Sequence, residues 1–489
     1  MEILMFSSIV EAVFSHADHI PDKLCIADDK ESLTYAGYAS AIRRYVSVYT
    51  SLGVGRGDYV VLEAKQSIDY LASELALQLM GAIFVPVENK CAEAKITALA
   101  ERVGAAVTVT VKADEAGRNV TYDRLAELYS EAAEVAEYTL PEKDTVSEIL
   151  FSTGTTGKEK GIILTHGNDI ALAENVMYGV EMEKDNVEMI PSPMNHSHGL
   201  RRYYANMYNG STVIILGSVM DVRRFFSNMD TYGVNSMDLV PAALAVLLRL
   251  SKGKLADYAD TLRYLQLGAA PLPEADKNAV CALLPKTRIY NFYGSTESGC
   301  TCIYNFNVAE PKKNCIGKPT HNTKLLVVDD DRVSFTSSPD KTGALATAGG
   351  MNTLGYFEDE EETARVLADG IVYSNDIGYV DGDGDVILLG RRGDVINVGG
   401  NKVSPEEIED AAKKIDGVAD CGCIPVEDSA KGHVPKLFVQ MVSGREFDMK
   451  AIRAALATTL EPYKVPVYIV EIDKIPRSYN GKLLRKELK

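Results

Sequence analysis

The sequence predicts an α/β protein of more than one domain. Three observations carry this. Short apolar runs alternate with segments of helical period along most of the chain, the pattern of parallel sheets with right-handed crossovers. The 489 residues exceed what one ordinary core holds. The last stretch, a hairpin-like segment followed by strand, helix 448–460 and strand 467–471, forms a small α+β unit of its own.

The elements follow in order. From Ser7 a helical face of Ile9, Val13 and Phe14 leads to two short strands around the turn Asp28-Asp29-Lys30, and Thr34 caps the next helix. Strand 58–63, helix 67–80, strand 81–86, helix 92–102 and strand 105–111 continue the alternation and read as scaffold. A polar connection, 140–147, enters the first stretch with chemical content. Helix 169–179, strand 212–216, helix 220–229, strand 236–240, helix 242–251 and strand 262–267 lie between that stretch and the second. Ser404-Pro405-Glu406-Glu407 opens a helix, with Ser404 as cap and Pro405 at the first position.

Composition excludes several classes. The formal charge of −18 disfavours nucleic acid or an anionic membrane surface as partner, since phosphate contacts need a basic face. No apolar run is long enough to span a bilayer, and the first residues carry an acid and no basic lead. The eight cysteines show no C-x-x-C pair; Cys300, Cys302 and Cys315 read as buried thiols, and reduced thiols fit a cytoplasmic setting.

Residues 151–166, Phe-Ser-Thr-Gly-Thr-Thr-Gly-Lys-Glu-Lys-Gly-Ile-Ile-Leu-Thr-His, read as strand, glycine-hydroxyl loop, strand. Backbone N–H groups, hydroxyls and two lysines are the donors a polyphosphate needs, although such clusters also serve as plain turns. Ser152 at the first glycine position and Glu159 after Lys158 rule out a Walker loop.

The run S-T-G-T-T-G-x-x-K-G resembles the phosphate loop of the adenylate-forming enzymes, which comprise acyl-CoA synthetases, luciferases and the adenylation domains of peptide synthetases. Lys160 matches the family lysine, and Glu159 stands where the family usually has Pro. Two further stretches agree in order. Tyr293-Gly294-Ser295-Thr296-Glu297 resembles the family's Y-G-x-T-E, and residues 388–409 resemble its hinge and the first hairpin of its C-terminal domain. Tyr373–Gly384 resembles T-G-D-x-G…D-x-D-G with Asn375 in place of a Gly, and the segment from Thr342 has Ala344 in place of a Glu. Pro476-Arg477…Gly481-Lys482…Arg485 resembles the terminal motif.

The resemblance implies a large N-terminal domain, 1–391, of stacked, mostly parallel sheets with flanking helices and a β-barrel-like subdomain. It also implies a small, mobile α+β lid, 392–489, pivoting at Gly393. Implied nucleotide-binding residues are Ser152, Thr153, Gly154, Thr155, Thr156, Gly157, Lys160, Gly268, Ala269, Ala270, Asn291, Phe292, Tyr293, Gly294, Asp376 and Arg391. Tyr293 is suited to stack on adenine, and Asp376 offers two acceptors to a ribose diol. Lys482, Thr296, Glu297 and His196 are the implied catalytic residues, with Glu297 on Mg²⁺. His196, His198, Arg201, Arg202 and Gly268 are the implied acid pocket. Either Arg201 and Arg202 are solvated helix residues, or one meets a second polar group on the substrate. Gly399 and Gly400 lie where relatives have the thiol tunnel.

The implied activity is an ATP- and Mg²⁺-dependent ligase that converts a carboxylic acid to acyl-AMP and then to a CoA thioester, working as a monomer or homodimer. A carrier-protein thiol is the alternative acceptor. A non-catalytic relative is disfavoured by the retained Glu297, Asp376, Arg391 and Lys482. The polar run His196–Arg202 leans the expected acid toward a small or polar one.

Overall fold

The computed structural model describes residues 6–153, 159–270, 272–398, 401–428, 432–477, 481 and 483–488. Three sheets organise them, of fourteen, seven and five strands. The middle of the largest is parallel. Leu24–Ala27, Thr212–Ile215, Val187–Ile190, Ser236–Leu239, Tyr264–Leu267 and Arg288–Ser295 lie side by side, so their carboxyl ends share one edge. In the seven-stranded sheet Ile83–Val87, Tyr59–Glu63 and Val107–Thr110 are parallel, and the hairpin of Val146–Thr153 with Glu159–Thr165 extends it.

Helices Ile68–Met80 and Ser197–Asn209 have eleven of thirteen residues buried each. A helix apolar or buried on all sides must be covered on both faces. Here one core joins Val60 and Leu62 of the smaller sheet, Ile190 and Val213 of the larger, and Leu71, Leu75, Leu200 and Tyr204 of the two helices. Helix Ser197–Asn209 is thereby fixed between the layers. Its start is held at the strand-end crevice where open α/β sheets place ligands.

The caps follow the sequence in most cases. Thr34 accepts from Gly37 N, and Thr165 and Asn168 form a reciprocal capping box. Ser404 is an exception. It precedes Pro405 as expected, but its hydroxyl donates to Glu406 at 2.8 Å and makes no capping bond.

The expected barrel-like subdomain needs correction. Gly299–Asn305, Cys315–Pro319, Val386–Arg391, Ile371–Val380, Gly343–Gly349 and Thr323–Val328 continue the largest sheet antiparallel to its edge and, among the described residues, do not close. The five-stranded sheet begins at Ile396 and has its own core of Ile396, Val403, Ile408, Leu437, Val439 and Leu456. All eight cysteines are free, with Cys300 and Cys302 buried. Among the described residues no helix is long and apolar enough to cross a membrane.

Candidate active site

The strands on either side of residues 154–158 pair in a register that sets Phe151 against Gly161 and Ser152 against Lys160. A Cβ on Gly161 would meet the Phe151 ring at 2.8 Å and Ile149 at 2.9 Å, so packing demands glycine there. Gly154, Thr155, Thr156 and Gly157 lie outside the described residues, as does the side chain of Thr153. Glu159, in place of the usual proline, is held by other means. Lys95 reaches its carboxylate at 2.6 Å, and Arg102 donates to its carbonyl at 3.1 Å. Lys160 pairs with Glu362 and stands 5.5 Å from the centre of the Tyr356 ring.

The motif Y-G-S-T-E ends the strand Arg288–Ser295 and turns back into Gly299–Asn305. Gly294 is forced by this turn, because a Cβ there would lie 1.7 Å from the Gly299 carbonyl oxygen. Tyr293 donates its hydroxyl to Asp376 Oδ2 at 2.6 Å, and Arg391 Nε stands 3.4 Å from Asp376 Oδ1. Asp376 and Arg391 face each other in register on neighbouring strands. Burial first, and then the carboxylate, raises the Tyr293 phenol well above its ordinary range, so it stays a donor. Three residues from separate motifs thus meet at one point. Asn375 causes no strain in the turn: it keeps a negative φ, and its carbonyl accepts from Arg392 N at 2.6 Å.

Glu297 is fixed twice. Its carbonyl accepts from Thr353 N at 2.8 Å and its Oε1 accepts from the Tyr356 hydroxyl at 2.7 Å. Oε2 has no hydrogen-bond partner among the described residues. A carboxylate with one oxygen anchored and one without a bond among the described residues fits a hard cation such as Mg²⁺.

The turn after Tyr264–Leu267 passes directly against helix Ser197–Asn209. A Cβ on Gly268 would sit 2.8 Å from His198 and 3.3 Å from Phe292. Ala269 adopts a φ of 67°, a conformation that glycine takes without cost. Next to it lies Ala270.

His196 is the residue before the first turn of Ser197–Asn209, its ring exposed and 3.3 Å from the Asn195 amide. The surrounding protein desolvates it enough to lower its pKa, which favours the neutral imidazole. His198 Nε2 stands 2.8 Å from Asp238 Oδ1.

Arg201 and Arg202 overturn the solvated-helix expectation, for both are buried. Arg201 Nη1 donates to Asp169 Oδ1 at 2.9 Å and Nη2 to Glu148 Oε1 at 2.5 Å. Glu148 belongs to the phosphate-loop hairpin and Asp169 to the helix after it. Arg201 is therefore a buried joint between that hairpin and helix Ser197–Asn209, with each terminal nitrogen bonded to a carboxylate. Arg202 lies 3.6 Å from the centre of the Phe292 ring, with Nε 3.4 Å from Asp238.

Gly393 has a φ of 91° and nothing within 4 Å of a Cβ. The left-handed backbone favours glycine, and the space around it is open. Lys482, Gly399 and Gly400 lie outside the described residues. The neighbouring motif arginines tie the tail to the five-stranded unit. Arg477 pairs with Asp420 at 2.6 Å, and Arg485 with Glu406 at 2.6 Å and Glu409 at 2.7 Å. Lys313, ahead of Gly393 in the chain, meets Glu407, beyond it, at 2.5 Å.

Asp238, Tyr356, Lys95 and Arg102, which no motif in the sequence singles out, contact the candidate residues His198, Glu297 and Glu159. A group that can hold a cation, Asp381, Asp383 and Asp385, is already filled by Lys312, whose Nζ meets all three at 2.5 to 2.8 Å.

Comparison with known proteins gives the family and the fold. The family model for AMP-binding enzymes matches residues 13–357, and that for the AMP-binding enzyme C-terminal domain matches 407–482. The 2-succinylbenzoate–CoA ligases of Bacillus cereus (strain AH820) and Bacillus mycoides (strain KBAB4) are each 29% identical over 476 residues. The match spans 96% of this chain and 95% and 96% of theirs, respectively. Among solved structures, ATP-bound MatB from Rhodopseudomonas palustris superposes with a TM-score of 0.86 at 22% identity, covering 99% of this chain and 98% of that one. The O-succinylbenzoate coenzyme A synthetase of Bacillus subtilis in complex with AMP gives 0.83 at 23%, covering 98% of both. At such identities the solved structures speak for the fold. The family match spans well over half the sequence and includes every described motif of the nucleotide wall up to Tyr356, and on that ground the chain belongs to the AMP-binding enzymes.

Proposed function

We propose that the protein is an ATP-dependent acid–thiol ligase that forms an acyl-adenylate and passes the acyl group to CoA. The observation that carries the reading is the meeting of Tyr293, Asp376 and Arg391 at one edge of the crevice, with Glu297 anchored by Tyr356 close in sequence to Tyr293. The relatives named 2-succinylbenzoate–CoA ligase support CoA as acceptor.

In the first half-reaction an acid carboxylate oxygen attacks the α-phosphorus of ATP, an acyl–O–P bond forms, and the bond to pyrophosphate breaks. Asp376 is suited to accept from both ribose hydroxyls and Tyr293 to flank the base. Arg391, Lys160, Thr296 and the loop donors meet phosphate charge, and Lys482 would supply the positive charge at the reacting oxygens. Bound Mg²⁺, held by Glu297, would neutralise phosphate charge. His196, neutral at pH 7, lines the acid side as a hydrogen-bonding group. In the second half-reaction a thiolate attacks the acyl carbon and AMP leaves. The lid 392–489, pivoting at Gly393, would withdraw Lys482 and bring Gly399 and Gly400 to the thiol.

Acid-dependent ATP–pyrophosphate exchange over a panel of carboxylic acids tests the first half, with Lys482→Ala as control. Exchange with some acid that the control loses supports the reading, and absence of exchange with every acid refutes it. Consumption of free CoA then decides the acceptor against a holo carrier protein.

A further inference from the structure

The segment Ile190-Pro191-Ser192-Pro193-Met194-Asn195-His196 leaves the largest sheet at the end of Val187–Ile190. Proline has no N–H, so Pro191 and Pro193 deprive the segment of two main-chain donors, and it cannot run on as a paired strand. Ser192 and Met194 within it are nonetheless buried. Covered main-chain groups need partners, and here these come from the other sheet.

Gln66 follows the strand Tyr59–Glu63 and precedes helix Ile68–Met80. Its Nε2 donates to the Ser192 carbonyl at 3.0 Å, and its Oε1 accepts from Met194 N at 3.1 Å. The same Nε2 lies 3.4 Å from the Leu216 carbonyl, just past Thr212–Ile215. About one helical turn further on, the fully buried Tyr70 donates its hydroxyl to the Met194 carbonyl at 3.2 Å. An amide carries both an acceptor and donors, so one side chain serves the Met194 N–H and the Ser192 carbonyl together, as a neighbouring strand would. Gln66 is itself held in place: Asp28 Oδ2 accepts from Ile68 N at 2.9 Å, and Ser67 caps the helix at Tyr70 N.

The far side of the segment is fixed as well. A Cβ on Gly199 would lie 2.4 Å from the Pro193 carbonyl oxygen, so the segment presses against the start of helix Ser197–Asn209. Ser192 Oγ donates to Asp238 Oδ2 at 2.5 Å, on the carboxylate whose other oxygen faces His198. The His196 ring is exposed, so packing around the ring does not set its place; the course of the main chain does.

We infer that Gln66 is a positioning residue of the acid side: through the main chain of Ser192 and Met194 it sets where His196 stands, with Tyr70 as a second support. The smaller sheet thereby shapes a wall that leaves the larger one. This inference rests on the acid–thiol ligase reading and adds to it a residue outside every motif.

Acid-dependent ATP–pyrophosphate exchange in the full enzyme tests it, with acid and ATP varied in turn. Gln66→Met keeps the length of the side chain and removes its bonds. KM for the acid should rise about five- to thirtyfold, the worth of one to two neutral hydrogen bonds, while KM for ATP stays within about twofold. Tyr70→Phe removes one hydroxyl, keeps the ring, and should give the same pattern at about two- to fivefold. It carries the test if a melting curve shows that Gln66→Met does not fold. A double-mutant cycle gives the deciding readout. If Gln66 acts through His196, Gln66→Met costs little on a His196→Ala background, and the two losses do not add. Losses that add, or equal rises in KM for acid and ATP, mean that Gln66 serves packing alone and overturn the inference. A His196→Ala enzyme with unchanged kinetics overturns it too. All of these results leave the ligase reading intact, whereas absence of exchange with every acid in the wild type overturns the ligase reading itself.

Discussion

The Tyr356 hydroxyl donates to Glu297 Oε1 at 2.7 Å and so joins two sheets at the reacting end of the site. Tyr356 pairs with Ile162 of the phosphate-loop hairpin, while Glu297 follows the strand that carries Tyr293. Burial first, and then Glu297, raises the phenol above its ordinary range, so it donates at any working pH. Tyr356→Phe should free Glu297 to rotate. We expect kcat/KM for ATP to fall about fivefold to tenfold, the worth of one hydrogen bond to a charged group, with a higher Mg²⁺ requirement and little change in Tm. An unchanged Mg²⁺ titration would mean that Tyr356 does not orient Glu297.

Arg201 is the single guanidinium among Glu148, Asp169 and, through Tyr204, Glu74. Removing one partner of a buried ion pair costs about 3 to 5 kcal/mol. Arg201→Met should therefore destabilise strongly at pH 7.5. Burial already raises Asp169 and Glu74, and carboxylates raised by folding lose stability as pH rises. The deficit of the variant should thus shrink toward pH 5, where these groups take up protons. Urea midpoints at the two pH values check this. A constant deficit would mean that lost packing, and not stranded charge, dominates.

The elements that could be read from the sequence are those whose evidence is local. The phosphate-loop strands, the Tyr293 and Asp376 motifs and the alternation of strand and helix follow from neighbours in sequence. Arg201 and Arg202 show the limit. An arginine on a helix is ordinarily solvated, and only the second sheet lying over Ser197–Asn209, with carboxylates at 148, 169 and 238, makes burial tolerable. Asp238 sits in the four-residue strand Ser236–Leu239 with no motif around it, so its meeting with Ser192, His198 and Arg202 depends on sheet order. Glu159, where the family usually has Pro, is held by Lys95 and Arg102, more than fifty residues away, and no local pattern points to either.

His166 opens the helix after the phosphate-loop hairpin with both ring nitrogens buried and unpartnered. Burial lowers its pKa from 6.5 to about 4. The unfolded chain then binds a proton that the folded one refuses, so stability is whole above pH 6.5 and is lost as pH falls toward 4. The full loss is roughly 3 kcal/mol. His166→Leu should remove this component. The difference in unfolding free energy between variant and wild type should move in the variant's favour from pH 7 to pH 5, and a difference independent of pH would show that the ring finds a partner in solution.

Lys160 pairs with Glu362, which Arg365 also holds, and the two cations keep that carboxylate down at about 2. Both members of the Lys160–Glu362 pair are mostly shielded, at 11% and 15% side-chain exposure, so screening by salt is weak. A phosphate that recruits Lys160 must compete with Glu362. The apparent affinity for ATP is then the intrinsic one reduced by the fraction of Lys160 that is free. Glu362→Gln keeps the shape and removes the competing charge, so KM for ATP should fall by about twofold to tenfold while kcat changes little. If KM rises instead, Glu362 is aligning Lys160 toward the phosphates, and the pair belongs to the assembled site.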